Sequence, residues 1–322
     1  MPGTTIDLRL AALSDWTYIS TIAIYFLAMV LYAVELAFSR KRAPEKELVA
    51  AGAVVVPSAE ATPASAARPE RSLPDRVGRM AVAFTVLGAL LHVSSLVLRG
   101  LAVDRVPWGN VYEYISSVCA VAVIAYLVFL RRHPVRRLGA YVLLPLIVLM
   151  AIGGKWLYAQ AAPLVPALRS YWIVIHVSAA IISSGVLLIA GVASVLYLIR
   201  KANDENPRRF ARIAEKLPEA SVLDRLAYRT TIFTFPIWTF AIVCGAIWAE
   251  SAWGRYWGWD PKETCAFISW VFYACFLHAR ATAGFRDKTA AWINVGGFAV
   301  TVFNLFFINF VLTGLHSYAG VG

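Results

Sequence analysis

Long apolar stretches separated by short polar ones set the rhythm of this chain of 322 residues. Eight of them occur, over residues 15–38, 77–99, 110–130, 138–154, 171–199, 231–250, 263–279 and 289–314. A helix needs ~20 mostly apolar residues to cross the hydrocarbon of a bilayer. The pattern therefore predicts an all-α integral membrane protein with eight transmembrane helices. The first stretch reads as a true span and not a cleaved leader: it follows an acidic residue, Asp15, and lacks a small-residue cleavage pattern. Residues 39–75 are rich in alanine, charge and proline (Pro44, Pro57, Pro63, Pro69, Pro74) and read as a flexible linker. The division is thus a first helix in 1–38, a linker over 39–75, and a seven-helix domain over 76–322. The polar segment 200–230 carries Phe210, Ile213, Leu217, Val222, Leu223 and Leu226, which predicts one or two short amphipathic helices broken at Pro218.

Composition agrees: 60% of residues are hydrophobic and 15% charged, far from a soluble average. The net charge of +11 would suit nucleic acid, but its distribution argues against that class. With loops placed alternately on two sides, one side receives 23 of the 30 Lys and Arg. That asymmetry is the positive-inside rule. It puts the linker in the cytoplasm, and both termini and the loop over 251–263 outside, in a multi-pass protein of the plasma (cytoplasmic) membrane. Cys119, Cys244, Cys265 and Cys275 all fall within predicted spans with no C-x-x-C pair, so they read as buried small hydrophobes. The chain has no C-x-x-C-H motif for a covalent haem of its own.

Candidate chemistry concentrates in Trp253-Gly254-Arg255-Tyr256-Trp257-Gly258-Trp259-Asp260-Pro261-Lys262-Glu263. Two readings stand. The tryptophans are an interfacial belt, or, being denser than a belt requires, they form a flat apolar platform for an amphiphilic ligand. Arg255 and Lys262 suit carboxylates on such a ligand. Asp260 and Glu263 fit a helix N-cap and N3 position around Pro261, with direct ligand contact as an addition to that role. Asn110 and Glu113 have the same arrangement. Of five histidines, His133 lies in a basic loop and reads as surface. His92 reads as a packed, hydrogen-bonded residue. His176 and His316 fall level with the tryptophan loop, where two neutral imidazoles suggest axial ligation of a haem iron; the alternative is an ordinary polar residue at the interface. His278 lies at the opposite end of its span, and an ionisable residue within a membrane is costly enough to be a functional candidate.

The Trp-Gly-x-x-Trp-x-Trp-Asp-Pro-Lys-Glu motif, His176 before it, Gly314-Leu315-His316-Ser317-Tyr318 after it, and Pro107-Trp108-Gly109-Asn110-Val111-Tyr112-Glu113 closely resemble the CcsA (ResC) family of cytochrome c biogenesis proteins, called CcsB in some bacteria. The resemblance covers residues 76–318. It implies that non-covalent haem b is moved across the membrane and presented outside for thioether attachment to the C-x-x-C-H motif of apocytochrome c. His176 and His316 would hold the outer iron, Trp253, Trp257, Trp259, Asp260 and Arg255 the outer haem, and His278 an inner haem iron. A CcsB/ResB-like membrane partner would complete the inner site and a holocytochrome c synthase, or haem lyase, with thiol-reducing proteins as further partners. No catalytic acid or base is assigned. Two rivals remain: a haem-delivery subunit of the other maturation route, which usually has six spans or a longer chain, and a b-type electron-transfer subunit, which expects stacked histidine pairs on two helices.

Overall fold

The computed structural model describes residues 6–38, 72–164, 168–285 and 287–310. All regular structure among them is helical. In chain order the helices are α1 (Leu8–Phe38), α2 (Leu73–Ala102), α3 (Val111–Arg132), α4 (Gly139–Trp156), α5 (Tyr171–Glu205), α6 (Ala211–Ala214), α7 (Ala220–Trp253), α8 (Pro261–Ala281) and α9 (Lys288–Phe310). A 3₁₀ turn, Arg136–Leu138, leads into α4. Seven helices among the described residues are long and apolar enough to cross a membrane. The protein is therefore a multi-pass, all-helical membrane protein. The eighth expected span coincides with α9, described over 23 residues.

Two sets of helices pack side by side: α1–α4, and α5–α9. They meet where α3, and to a lesser extent α4, lies against α5. The first set is organised by the α1/α2 pair. The buried residues of α1 include Ser14, Tyr18, Thr21, Tyr25, Ala28, Tyr32 and Glu35; those of α2 include Gly78, Ala81, Thr85, Gly88, His92, Ser95, Arg99 and Ala102. Both follow alternating steps of three and four residues, the repeat that keeps one stripe of each helix facing a partner. The helices run antiparallel, with Ser14 bonded to Ser95 at 2.9 Å and Glu35 against Gly78. Large tyrosines on α1 meet small residues on α2. A Cβ on Gly88 would come 2.5 Å from the Tyr25 ring. Close approach through small residues and interhelical hydrogen bonds is how helices associate without a hydrophobic drive from lipid.

His92 sits inside this set, fully buried. Its Nε2 is 3.0 Å from Ser116 Oγ and its Nδ1 is 3.4 Å from the Tyr25 hydroxyl. It is the packed, hydrogen-bonded residue the sequence suggests.

Other details differ from the sequence reading. The expected linker runs to 75, whereas α2 begins at Leu73, with Pro74 in its first turn where a missing N–H costs nothing; residues 39–71 lie outside the described residues. In the segment 200–230 there is one four-residue helix, α6, and α7 begins at Ala220 and runs on without a break into the membrane span. The apolar residues there do not form one surface-lying face: Leu217, Leu223 and Leu226 are buried in the main core, whereas Phe210 and Ile213 are exposed. Cys119 and Cys244 are buried, but Cys275 is exposed, because the helical repeat puts it on the outward stripe of α8.

Candidate functional site

Charge fixes the frame of the site. Arg99 on α2, 2% exposed, bonds through Nε to Glu113 Oε1 at 3.0 Å; Glu113 is 1% exposed. Arg105 reaches the same carboxylate at 2.7 Å, and Gly109 N donates to it at 2.8 Å. Arg99 also bonds to Asp15 at 3.3 Å and to the Ala159 carbonyl, and Arg105 Nε donates to the Ala162 carbonyl at 2.9 Å. The Tyr158 hydroxyl donates to Asp15 at 2.6 Å. Burial and the Asp15 carboxylate push that phenol above its ordinary range. Desolvated charges hold only when paired and hydrogen-bonded on every side. Here the pairs clamp the turn before α3 and the segment after α4 to the ends of α1 and α2. Asn110 Oδ1 caps α3 by accepting from Glu113 N at 2.8 Å, as the spacing predicts. The Glu113 side chain, though, belongs to the clamp.

Against this frame lies a mainly apolar cavity of about 490 Å³. Pockets of about 300–1,000 Å³ hold cofactor-sized ligands. Its walls come from the turn before α3 (Trp108) and the start of α3 (Tyr114), the start of α5 (Ile173, His176), the second half of α7 (Trp238, Gly245, Trp248, Trp253), the loop into α8 (Tyr256, Trp257) and the first turn of α8 (Lys262).

His176 is held in one orientation. Its Nδ1 lies 2.7 Å from the Ala241 carbonyl on α7. A carbonyl only accepts, so Nδ1 carries the hydrogen, and in the neutral ring it is Nε2 that has the lone pair. That is the arrangement seen when the second nitrogen serves as a metal ligand. The ring lies parallel to Trp248, centroids 6.4 Å apart at 6°. A Cβ on Gly245 would sit 2.6 Å from His176 Cε1, so that glycine makes room for the imidazole. Trp253 meets Trp248 edge-on at 4.7 Å. Through Trp248 the histidine is thus coupled to the tryptophan loop.

The loop itself is short and firmly held. Gly254 ends α7 at φ +71°, the left-handed position glycine takes at a helix C-terminus. Trp259 is also left-handed, at φ +57°, an uncommon and strained place for a bulky residue. It is 66% exposed and stands edge-on to Trp257 at 5.8 Å and to Phe267 at 6.2 Å. Asp260 and Glu263 form the expected capping box. Asp260 accepts from Lys262 N at 3.1 Å, and Glu263 Oε2 accepts from Asp260 N at 3.1 Å and Gly258 N at 2.9 Å. Arg255 is folded back over Gly258, and its Nη1 is buried with no hydrogen-bond partner among the described residues.

Of the residues singled out from sequence, His176, Trp253, Trp257, Lys262 and Glu263 line the cavity. Arg255, Trp259 and Asp260 belong to the loop that borders it. His278 sits at the far end of α8, exposed, on a stripe with Ile268, Val271 and Cys275. His316 lies outside the described residues. Trp248, Trp238, Trp108, Tyr114 and Gly245 were not singled out as site residues, although all line the cavity. Trp238, Gly245 and Trp248 sit in an apolar run where an aromatic or a glycine looks like ordinary span composition, and only the meeting of α5 with α7 gives them a role; Trp108 lies in the turn before α3 and Tyr114 in its first turn.

Fold and site define a multi-pass helical membrane protein whose second helix set carries a histidine- and tryptophan-walled cavity closed by a short capped loop. A family model described as cytochrome C assembly protein matches residues 108–316, and the chain belongs to that family. It is 40% identical over 173 residues to the cytochrome c biogenesis protein CcsA of Guillardia theta, covering 49% of this chain and 58% of that one. It is 35% identical over 236 residues to CcsA of Chlamydomonas reinhardtii, covering 71% and 65%. Against CcsA of Parasynechococcus marenigrum (strain WH8102) it is 34% identical over 255 residues, covering 72% and 84%. The chain thus spans less than two thirds of the first two relatives. Among solved structures, cytochrome c heme lyase CcmF shares the fold, with a TM-score of 0.59 at 16% identity over 92% of this chain and 46% of that one.

Proposed function

We propose that the chain is the haem-handling component of a cytochrome c synthase, holding haem in the cavity beside the tryptophan loop for attachment to apocytochrome c. The observation that carries this reading is His176: its Nδ1 is tied to the Ala241 carbonyl, its ring lies along Trp248, and it lines an apolar cavity. An imidazole so fixed, beside flat indole surfaces, suits a macrocycle with a metal at its centre. His176 and His316 are the iron ligands in this reading, and the haem is b-type and non-covalent. Trp253, Trp257 and Trp259 hold its apolar surface. Arg255, whose buried Nη1 has no partner among the described residues, supplies a donor for a propionate. Asp260 acts by capping α8 and fixing the loop. The cavity faces the extracytoplasmic side of the plasma membrane, as the charge asymmetry suggests.

The chemistry is addition of the two thiols of a C-x-x-C-H segment across the haem vinyl groups, the sulfur bonding one vinyl carbon and the thiol hydrogen ending on the other. The chain contributes binding, orientation and exclusion of water. His278 belongs to a separate inner haem site. Its stripe on α8, Ile268, Val271, Cys275 and His278, follows the three-and-four repeat of a helix-docking seam. That supports a CcsB/ResB-like partner helix there, contributing the second ligand. A b-type electron-transfer subunit would stack histidines across two helices; among the described residues, His92 instead bonds to Ser116 and Tyr25.

The test is His176→Ala in the protein purified with its partner, read by the reduced haem absorption spectrum and by cytochrome c yield. Loss of both, with recovery of the spectrum on adding imidazole, is expected. Unchanged haem content and yield would overturn the assignment.

A further inference from the structure

A line of hydroxyl and amide groups leads away from the cavity floor through the α5–α9 set. Tyr114 and Leu305 border both the main cavity and a cleft of about 50 Å³, which also touches Ser184, Thr301 and Asn304. Tyr114 and Ser184 share a hydrogen bond of 3.1 Å. Asn304 Nδ2 donates to the Lys262 carbonyl at 3.4 Å, while its Oδ1 is buried with no partner among the described residues.

Next along α9, Thr301 bonds to the Tyr273 hydroxyl at 3.2 Å. The Tyr273 ring packs on Gly297, where a Cβ would come within 3.1 Å of it, and so bridges from Thr301 toward Asn294. Asn294 is fully buried. Its Nδ2 donates to Thr231 Oγ1 at 3.3 Å and its Oδ1 has no partner among the described residues. Phe298 packs on Gly191 of α5. One turn further along each of these antiparallel helices brings Asn294 to the level of Ser194, whose hydroxyl is 1% exposed and likewise unpartnered among the described residues. A turn beyond Ser194, the Tyr197 hydroxyl donates to Asp287 at 2.5 Å, at the end of the bundle away from the tryptophan loop.

A buried polar atom left unsatisfied forfeits its hydration with nothing in return. Such groups inside proteins are met by other protein groups or by ordered water. A cleft of about 50 Å³ exceeds the ~30 Å³ that one water occupies in the liquid, and it has polar partners to hold it. The spare acceptors recur at two levels of α9, Asn294 and Asn304, about 15 Å apart at 1.5 Å per residue. We propose that this line is a hydrated track: ordered water is bound in the cleft against Asn304, Thr301 and Tyr114, and again between Ser194 and Asn294, joining the cavity floor to the opposite end of the bundle. The track places a polarisable medium beneath an otherwise apolar cavity, so a charge in the cavity is held at lower cost than dry protein would impose. It stands whichever ligand the cavity takes.

Hydroxyl-radical footprinting by X-ray radiolysis of water tests this on the full chain in nanodiscs, because buried side chains are labelled only where ordered water touches them. Tyr273, although fully buried, is expected to be oxidised about tenfold faster than Tyr25, an equally buried tyrosine of the α1/α2 seam. In Asn304→Leu, and separately in the isosteric Thr301→Val, the Tyr273 rate is expected to fall to that of Tyr25. Unchanged labelling of Tyr25 in each variant shows that the fold is kept. A native Tyr273 rate no faster than that of Tyr25 would overturn the proposal, as would a rapid rate untouched by both substitutions.

Discussion

The two helix sets solve the problem of polar groups in a membrane in opposite ways. In α1–α4, most buried polar groups bond across helices and the stripes interlock: Ser14 with Ser95, His92 with Ser116, and Arg99 with Glu113. In α5–α9, the chain leaves room. A cavity opens beside His176, Trp259 is held in a left-handed conformation, and several buried polar atoms, among them Trp238 Nε1 on the cavity wall, have no partner among the described residues. The first set is built as a frame and the second as the part that works. Departures from local consistency are expected where function sits.

The largest effect expected is on the working set alone. Gly245→Val drives a side chain into the space of the His176 ring and is expected to abolish haem binding and cytochrome yield while far-UV circular dichroism is kept. Haem retention in that variant would show that the imidazole orientation does not matter. In the frame, Tyr25→Ala opens a void in the α1/α2 seam at a cost of ~3–5 kcal/mol, the range for losing a large buried aromatic, read as a lowered thermal midpoint in detergent. If the frame acts only by holding the site, haem content below that midpoint stays close to normal. Arg99→Met removes the bond to Asp15 and one of the two arginines on the buried Glu113 carboxylate, which keeps Arg105. It is expected to destabilise the protein by ~1.5–3 kcal/mol, the range for hydrogen bonds to charged groups; the same thermal scan should show it, again with the cavity chemistry spared. A smaller effect belongs to Asp260→Ala, which removes a helix cap worth ~1 kcal/mol, with Asp260→Asn retaining most of it. Complete loss of haem in the asparagine variant would make Asp260 a ligand-contacting residue and not a cap.

Much of the fold could be read in advance, because hydropathy over twenty residues reports spans directly, and because Asn110, Asp260 and Glu263 are side chains whose capping chemistry is local. What could not be read was relational. The α1/α2 seam is written in Tyr, Gly, Ser and Thr, residues that barely register in a hydropathy profile, and its three-and-four spacing means something only when both helices are laid together. Trp248 looks like one more apolar residue until His176, from a helix much earlier in the chain, is placed against it. The start of α7 was misjudged for a related reason: Leu223 and Leu226 give an amphipathic pattern whether they face lipid headgroups or a neighbouring helix, and here they enter the core.

Glu263 has a mechanical consequence. One carboxylate grips Gly258 N and Asp260 N, so the loop is fastened to the first turn of α8. The same helix carries His278 fifteen residues further on, roughly 22 Å at 1.5 Å per residue. The loop and α8 are therefore one rigid lever: any tilt or turn of the helix, wherever along its length it begins, carries Trp257 and Trp259 with it.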